Sequence, residues 1–245
     1  MKLIDTHAHL EEVLDVHSMI RNARAVGVDA IIGVGTNLDS CKRTLELSRE
    51  HADLIYPAIG VHPQEIGKDL ADTLLFIEEH LHECVAVGEV GLDYWSKIDK
   101  GLQNEVFSKM LSYAESSSLP LSIHSRGAWK ECYESALSMQ ISKAVFHWFS
   151  GPVEILKQVL DSGYYVSASP ALEYSKAHRA SIKETPLEAL IIETDSPVNY
   201  HGKKSEPSDV VKTLRFLAEL KGLSQEEVAS TTTRNAIRLF NLRHV

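Results

Sequence analysis

The chain has 245 residues, of which 44% are hydrophobic and 24% are charged, and its formal net charge is −9. This is the composition of a globular protein, and the acidic charge argues against a broad nucleic-acid groove. Its three cysteines include no C-x-x-C pair, its N-terminus has no apolar signal core, and its apolar runs fall short of the roughly 18 residues of a membrane span. We therefore expect a cytoplasmic protein without disulfides or a membrane anchor.

Short apolar runs rich in valine and isoleucine alternate along the chain with longer stretches of helical periodicity. The runs are continuously apolar, as expected of parallel strands that are covered on both faces. The longer stretches carry helical stripes such as Leu102, Val106 and Met110. The first helix is predicted at residues 12–26. The predicted strands are residues 3–4, 29–34, 54–59, 84–87, 119–123, 144–146, 164–166 and 190–192.

Strand–helix alternation repeated about eight times predicts an α/β fold, namely a TIM-type (β/α)8 barrel with extra C-terminal helices. We predict one domain over residues 1–245. The alternative, a doubly wound open sheet, usually has fewer strands and often a glycine-rich phosphate turn, which is missing after the first strand. Beyond the last strand, Ser224 and Glu227 form a capping-box pattern, and residues 234–240 form another helical piece. We expect both pieces to pack on the outside of the barrel.

Side chains of metal-ligand type stand at the ends of the predicted strands. His7 and His9 follow the first strand, and alternate residues of an extended chain point the same way, so both can bind one metal. Another H-x-H pair, His80 and His82, ends a polar helical stretch, and we predict that it lies on the surface. Four more ligand-type residues close the fourth, fifth, sixth and eighth strands: Glu89, His124, His147 and Asp195.

Strand ends of one polarity converge on one mouth of a barrel, and that mouth is where the active sites of such barrels lie. Any one of these residues alone could be an ordinary polar loop residue. Six ligand-type residues at consistent positions instead predict a shared metal centre.

The same positions carry a family resemblance. In order, the segments IDTHAHL, AIGVHP, VGEVGLDYW, LSIHSR, FHWFSG and IETDSP resemble the TatD family of metal-dependent deoxyribonucleases, from Ile4 to about Arg238. The resemblance implies a (β/α)8 barrel that holds two divalent metals. It implies that one metal is held by His7, His9, Glu89 and Asp195. It implies that the other is held by Glu89, His124 and His147, with Glu89 as the bridge.

Two metals about 3.5–4 Å apart can activate a water and clamp the attacking and leaving oxygens of a phosphodiester. Mixed histidine and carboxylate ligands suit Zn, Mn, Fe or Co, whereas Mg usually prefers oxygen ligands, and the identity of the metal stays open among these five.

Asp195 is our candidate for orienting the water and taking its proton. His62 is a candidate for contacting the scissile phosphate or protonating the leaving oxygen; the alternative is a loop-capping role. The family often has a second histidine in that loop, where this chain has Gln64.

Candidate substrate contacts lie on the loops around the predicted mouth. Arg126 could hold a phosphate oxygen, and Lys203 with Lys204 could supply positive charge, although each could also be a solvated surface residue. Trp129, Trp148 and Tyr94 could stack on a base; the alternative is packing in the core or at the rim.

We predict hydrolysis of DNA phosphodiester bonds, in single strands or at ends, because a barrel mouth is a cleft rather than a duplex-wide groove. We expect a monomer. The metal ligands alone leave open RNA and other ester or amide substrates, such as an aminoacyl ester on tRNA. A non-catalytic binding protein on a degenerate barrel would lack a ligand, and none of the six is missing.

Overall fold

The computed structural model describes residues 1–13, 15–67, 69–200 and 202–243. Eight strands form one sheet in which each strand pairs in parallel with the next along the chain. They are β1 (Leu3–Ala8), β2 (Val28–Gly35), β3 (Ile55–Ile59), β4 (Ala86–Gly91), β5 (Leu121–His124), β6 (Ala144–Phe146), β7 (Tyr165–Ala168) and β8 (Leu190–Ile192). Each overlaps one of the predicted apolar runs, although β1 and β4 continue beyond the predicted ends at Ile4 and Val87.

Helices follow the strands, and all but the last of them pack on the outside of the sheet. They are α1 (Val16–Ala25), α2 (Leu38–Glu50), α3 (Leu70–His80), α4 (Lys100–Ser117), α5 (Trp129–Ser138), α6 (Val153–Asp161), α7 (Lys176–Glu184), α8 (Val210–Lys221) and α9 (Gln225–Phe240). The first helix is shorter than predicted because the Asp15 side chain accepts a hydrogen bond from Ser18 N and caps it there. Along the part of the chain that the structure describes, no helix is long and apolar enough to cross a membrane.

The sheet closes where β8 returns to β1. Thr194 donates to the Asp5 carboxylate twice, from its backbone N to Oδ1 at 2.8 Å and from its hydroxyl to Oδ2 at 2.6 Å. The Asp195 backbone N donates to the His7 carbonyl at 2.9 Å, and the His9 N donates to the Ser196 carbonyl at 2.7 Å. These bonds hold the ends of the two strands side by side, and the eight strands form a nearly closed TIM-type barrel, as predicted.

The last helix differs from the prediction. Residues 225–240 form one continuous helix, α9, in which Ser224 caps the N-terminus by accepting from Glu227 N. Asn235 Nδ2 donates to the Leu190 carbonyl at 2.7 Å, and Thr233 Oγ1 donates to the Lys2 carbonyl at 3.0 Å. Both acceptors lie at the N-terminal ends of strands, so α9 packs across the bottom of the barrel, opposite the mouth.

The apolar side of α9 explains this position. Its residues Ala236, Leu239 and Phe240 share a buried cluster with every second residue of β2, namely Ala30, Ile32 and Val34. Side chains of alternate strand residues point to opposite faces, so this cluster fills the barrel interior, while the residues between them face the outer helices. The expectation that the C-terminal pieces pack only on the outside was therefore wrong for α9.

Candidate metal centre

The six predicted ligands meet at the C-terminal mouth of the barrel, on five different strand ends. All of them are buried or nearly so; His7 is fully buried, and Glu89 is 2% exposed. Each contacts at least one other member of the set through a nitrogen or a carboxylate oxygen, with 2.7–3.7 Å between the contacting atoms. The polar atoms converge on two adjacent positions rather than scattering around the rim.

One position lies between the β1 histidines and the end of β8. His7 Nε2 and His9 Nε2 are 3.3 Å apart, and Asp195 Oδ1 lies 3.7 Å from the first and 3.4 Å from the second. Glu89 Oε2 is 3.3 Å from His7 Nε2 and 3.5 Å from His9 Nε2. Ligand bonds of about 2.0–2.2 Å place neighbouring donor atoms roughly 3 Å apart. This set of two nitrogens and two carboxylate oxygens therefore fits a divalent cation.

The other position lies on the opposite side of the Glu89 carboxylate. Glu89 Oε1 is 2.7 Å from His124 Nδ1, 3.1 Å from His147 Nε2 and 3.6 Å from His62 Nε2. Glu89 thus turns one oxygen to each group, which is the arrangement a bridging carboxylate requires. His62 was predicted near the scissile bond, and the structure places it at the edge of this group.

Glu193, which the sequence analysis did not single out, orients one of the histidines. Its Oε1 lies 3.1 Å from His147 Nδ1 and also accepts from the backbone N of Trp148 at 3.1 Å. His147 turns its other nitrogen to Glu89, so Glu193 acts as its carboxylate partner and fixes the ring. The signal was present in the sequence, because Glu193 is a charged residue inside the buried segment that ends at Asp195.

Asp93 is another buried carboxylate that the sequence analysis missed. Its Oδ2 accepts from Arg126 Nη2 at 2.6 Å and from Gln64 Nε2 at 2.5 Å, and it lies 3.4 Å from His124 Nε2. Burial alone would raise the pKa of Asp93, but the neighbouring His124 ring and the Arg126 guanidinium hold that pKa well below its usual range. Gln64, which stands where the family often has a histidine, is thus a partner of Asp93.

The electrostatics of the two groups follow from their burial and their mixed charges. Burial opposes ionisation of Glu89, but the imidazoles of His147, His62 and His7 hold its pKa well below the ordinary range. Burial likewise opposes protonation of His9, yet the Asp195 hydrogen bond and the Glu89 charge raise its pKa to about 9. Burial lowers the pKa of His62 to about 3, so its ring is neutral at neutral pH. Carboxylates that stay ionised next to imidazoles provide the charge that a cation needs.

A cavity of about 520 Å³ opens above these groups, and its lining decides what can approach them. Arg126, Trp129 and Trp148 line it, as expected of possible substrate contacts. Tyr94 does not; it packs under Lys100, whose Nζ lies 4.3 Å from the ring centroid. Lys203 does not line it either, but lies in a neighbouring cavity with Lys204.

Two residues of the mouth have strained backbones. Asp195 and Trp148 have φ angles of +50° and +44°. Such left-handed conformations cost side-chain-bearing residues of order 1–3 kcal/mol and cluster at functional sites. Hydrogen bonds hold both in place, from Asp195 N to the His7 carbonyl and from Trp148 N to Ser167 Oγ at 2.8 Å.

The predicted surface pair separates in the structure. His82 is exposed, as predicted, whereas His80 is half-buried and stacks on Phe76 at 4.1 Å between ring centroids.

The three cysteines, Cys41, Cys84 and Cys132, are buried and free, and burial raises the pKa of each thiol.

Comparison with known proteins assigns this arrangement to a family. The profile described as TatD related DNase matches residues 4–241. The chain belongs to the TatD family. A TatD homolog from Escherichia coli, of known structure, superposes with a TM-score of 0.92 at 26% identity and covers 98% of each chain.

Among TatD relatives, an uncharacterized metal-dependent hydrolase of Bacillus subtilis is 36% identical over 98% of this chain and 99% of its own length. A putative deoxyribonuclease of Mus musculus is 31% identical over 97% of this chain and 88% of its own length. This TatD-family chain is accordingly a metal-dependent hydrolase that acts on ester bonds.

Proposed function

We propose that this TatD-family protein is a deoxyribonuclease that uses two divalent metals to hydrolyse phosphodiester bonds. The observation that carries the proposal is Glu89, whose Oε2 faces His7 and His9 while its Oε1 faces His124 and His147. A two-faced carboxylate between two donor groups suits a pair of cations. The deoxyribonuclease name of the mouse relative supports DNA as the substrate.

In this proposal His7, His9, Asp195 and Glu89 hold one ion, and Glu89, His124 and His147 hold the other. The mixed nitrogen and oxygen donors favour Zn, Mn, Co or Fe over Mg. When bound, such ions lower the pKa of water toward about 7 and polarise phosphoryl oxygens.

The side chains around the donor groups position the substrate and move its protons. Asp195 accepts a proton from the attacking water. His62, at the edge of the second group, contacts the scissile phosphate, and Arg126 holds a non-bridging oxygen while Asp93 fixes its guanidinium at 2.6 Å. Trp129 and Trp148 offer ring faces to a base.

Single strands or strand ends are the proposed substrate, because a cavity of about 520 Å³ with two tryptophans in its wall suits unpaired nucleotides.

We further propose that the protein acts as a monomer in the cytoplasm. The three buried free thiols suit a reducing compartment. Light scattering after gel filtration tests the monomeric state.

The test is elemental analysis of purified protein, followed by cleavage assays with Mn or Mg on labelled single-stranded DNA, duplex DNA, RNA and a carboxylic ester. We expect up to two ions per chain and fastest cleavage of single-stranded DNA with Mn. Rapid ester hydrolysis with intact DNA, or a metal-free protein that takes up no Mn, would contradict the proposal.

Glu193→Gln should weaken metal binding about 10- to 100-fold, the usual cost of removing a carboxylate that orients a ligating histidine. The amide keeps an acceptor for His147 Nδ1 and Trp148 N but removes the negative charge. Competition titration with a chelator measures this affinity. Glu188→Gln, at an exposed carboxylate five positions earlier, is the matched control. Equal affinities of the two variants would show that Glu193 has no role in the metal centre.

A further inference from the structure

Next to the metal centre lies a second cavity of about 420 Å³, between α8 and a short hairpin formed by β9 (Asn199–Tyr200) and β10 (Lys203–Lys204). Its lysines and arginines outnumber its carboxylates, whereas in the central cavity the carboxylates outnumber the single arginine. Four cationic side chains and two carboxylates line it: Lys203, Lys204, Lys212, Arg215, Glu173 and Asp209. The central cavity carries one arginine and five carboxylates: Arg126, Glu11, Glu12, Glu65, Glu89 and Asp195.

The four cationic side chains of the second cavity remain exposed to solvent although three of them lie near a carboxylate. Lys212 Nζ lies 2.7 Å from Asp209 Oδ1. Arg215 Nε lies 3.9 Å from Glu219 Oε1, and Lys204 Nζ lies 3.9 Å from Glu12 Oε2. On a chain of net charge −9, such a cluster is a local attraction for a polyanion.

An aromatic row joins the two cavities. Trp148 lines the central cavity and Tyr200 lines the second, with 5.9 Å between their ring centroids. Tyr174, which is 48% exposed, continues the row at 6.1 Å from Tyr200. Stacking faces beside cationic side chains are the elements with which proteins bind single-stranded nucleic acid without reading its sequence.

We propose that a single DNA strand leaves the metal centre over Trp148 and Tyr200, with its backbone phosphates held by Lys203, Lys212 and Arg215. This inference rests on the proposed function and adds the path of the substrate. Glu11 and Glu65, which line the central cavity and not the second one, repel phosphates. The strand therefore extends from the scissile bond in one direction only.

The first test measures binding without cleavage. Metal-free protein is titrated into a fluorescent ten-nucleotide dT strand, and anisotropy is followed at several salt concentrations. Each phosphate contact adds about −0.7 to the slope of log affinity against log salt for a single strand. Lys212→Ala/Arg215→Ala should therefore reduce the slope by roughly 1.4. Lys157→Ala/Arg238→Ala removes the same two residue types from exposed positions on α6 and on α9 and should leave the slope unchanged.

The second test uses substrate length. Wild-type kcat/KM should be at least about tenfold higher for a ten-nucleotide strand than for a dinucleotide, and Lys212→Ala/Arg215→Ala should reduce that ratio severalfold, because Lys203 and the aromatic row remain. An unchanged salt slope and an unchanged length ratio in this variant would overturn the proposed path while leaving the nuclease assignment intact. A wild-type protein that cleaves no DNA would overturn the proposed function instead, and the binding data would still report on the second cavity.

Discussion

Glu89→Ala is expected to empty both metal positions and to lower turnover of DNA by at least about a hundredfold, the scale seen when a major electrostatic group is removed from an active site. Glu89 is the only described residue whose carboxylate contacts both donor groups. In the proposed two-metal site, its removal takes one ligand from each ion and leaves the buried imidazoles of His7 and His147 without the charge between them. Metal content per folded chain and kcat on labelled single-stranded DNA measure the two effects.

The comparison requires a folded variant, which circular dichroism and a thermal unfolding curve establish. Glu46→Ala, on the exposed face of α2, is the matched control and should keep its metal and its activity. Loss of a single ion would mean that Glu89 serves only one of the two groups. Full activity with full metal content would rule out the bridging role altogether.

Most of the barrel and the six donor residues could be predicted from sequence because both depend on local order. A strand that is buried on both faces appears as a continuous apolar run, and the residue that follows the run lies at the mouth. His124 follows Ile123 and His147 follows Phe146, so the position of each is fixed by its own strand. The repeated topology then brings these residues together without any further information.

The features that were missed depend on contacts between distant parts of the chain. Glu193 matters because His147, 46 positions earlier, turns a nitrogen toward it, and Asp93 matters because it holds Arg126, 33 positions later. The position of α9 across the barrel bottom depends on the space that the small interior residues Ala30, Ala58 and Ala86 leave for Phe240. A helical stripe reveals an apolar face but not the surface against which that face packs.

Asp195→Asn is expected to lower the single-turnover rate of DNA cleavage by about a hundredfold or more even when both metal positions are filled, the scale of general-base catalysis. Asp195 ends β8 and faces His7 and His9 across the barrel seam, with Oδ1 at 3.7 and 3.4 Å from their Nε2 atoms. One carboxylate oxygen can thus bind a metal while the other accepts a proton. The asparagine keeps the shape and one oxygen ligand but removes the basic oxygen and one negative charge.

Saturating Mn separates the two roles of Asp195. Glu193→Gln is the informative comparison, because Glu193 acts through His147 and its loss should affect metal affinity alone. Excess Mn should therefore return Glu193→Gln to near wild-type rates, while Asp195→Asn should remain slow with the same metal content and the same affinity for the strand. A recovery of Asp195→Asn equal to that of Glu193→Gln would make Asp195 a metal ligand only. The proton would then have to pass to another group at the mouth, and His62, whose neutral ring lies 3.6 Å from Glu89 Oε1, would be our candidate.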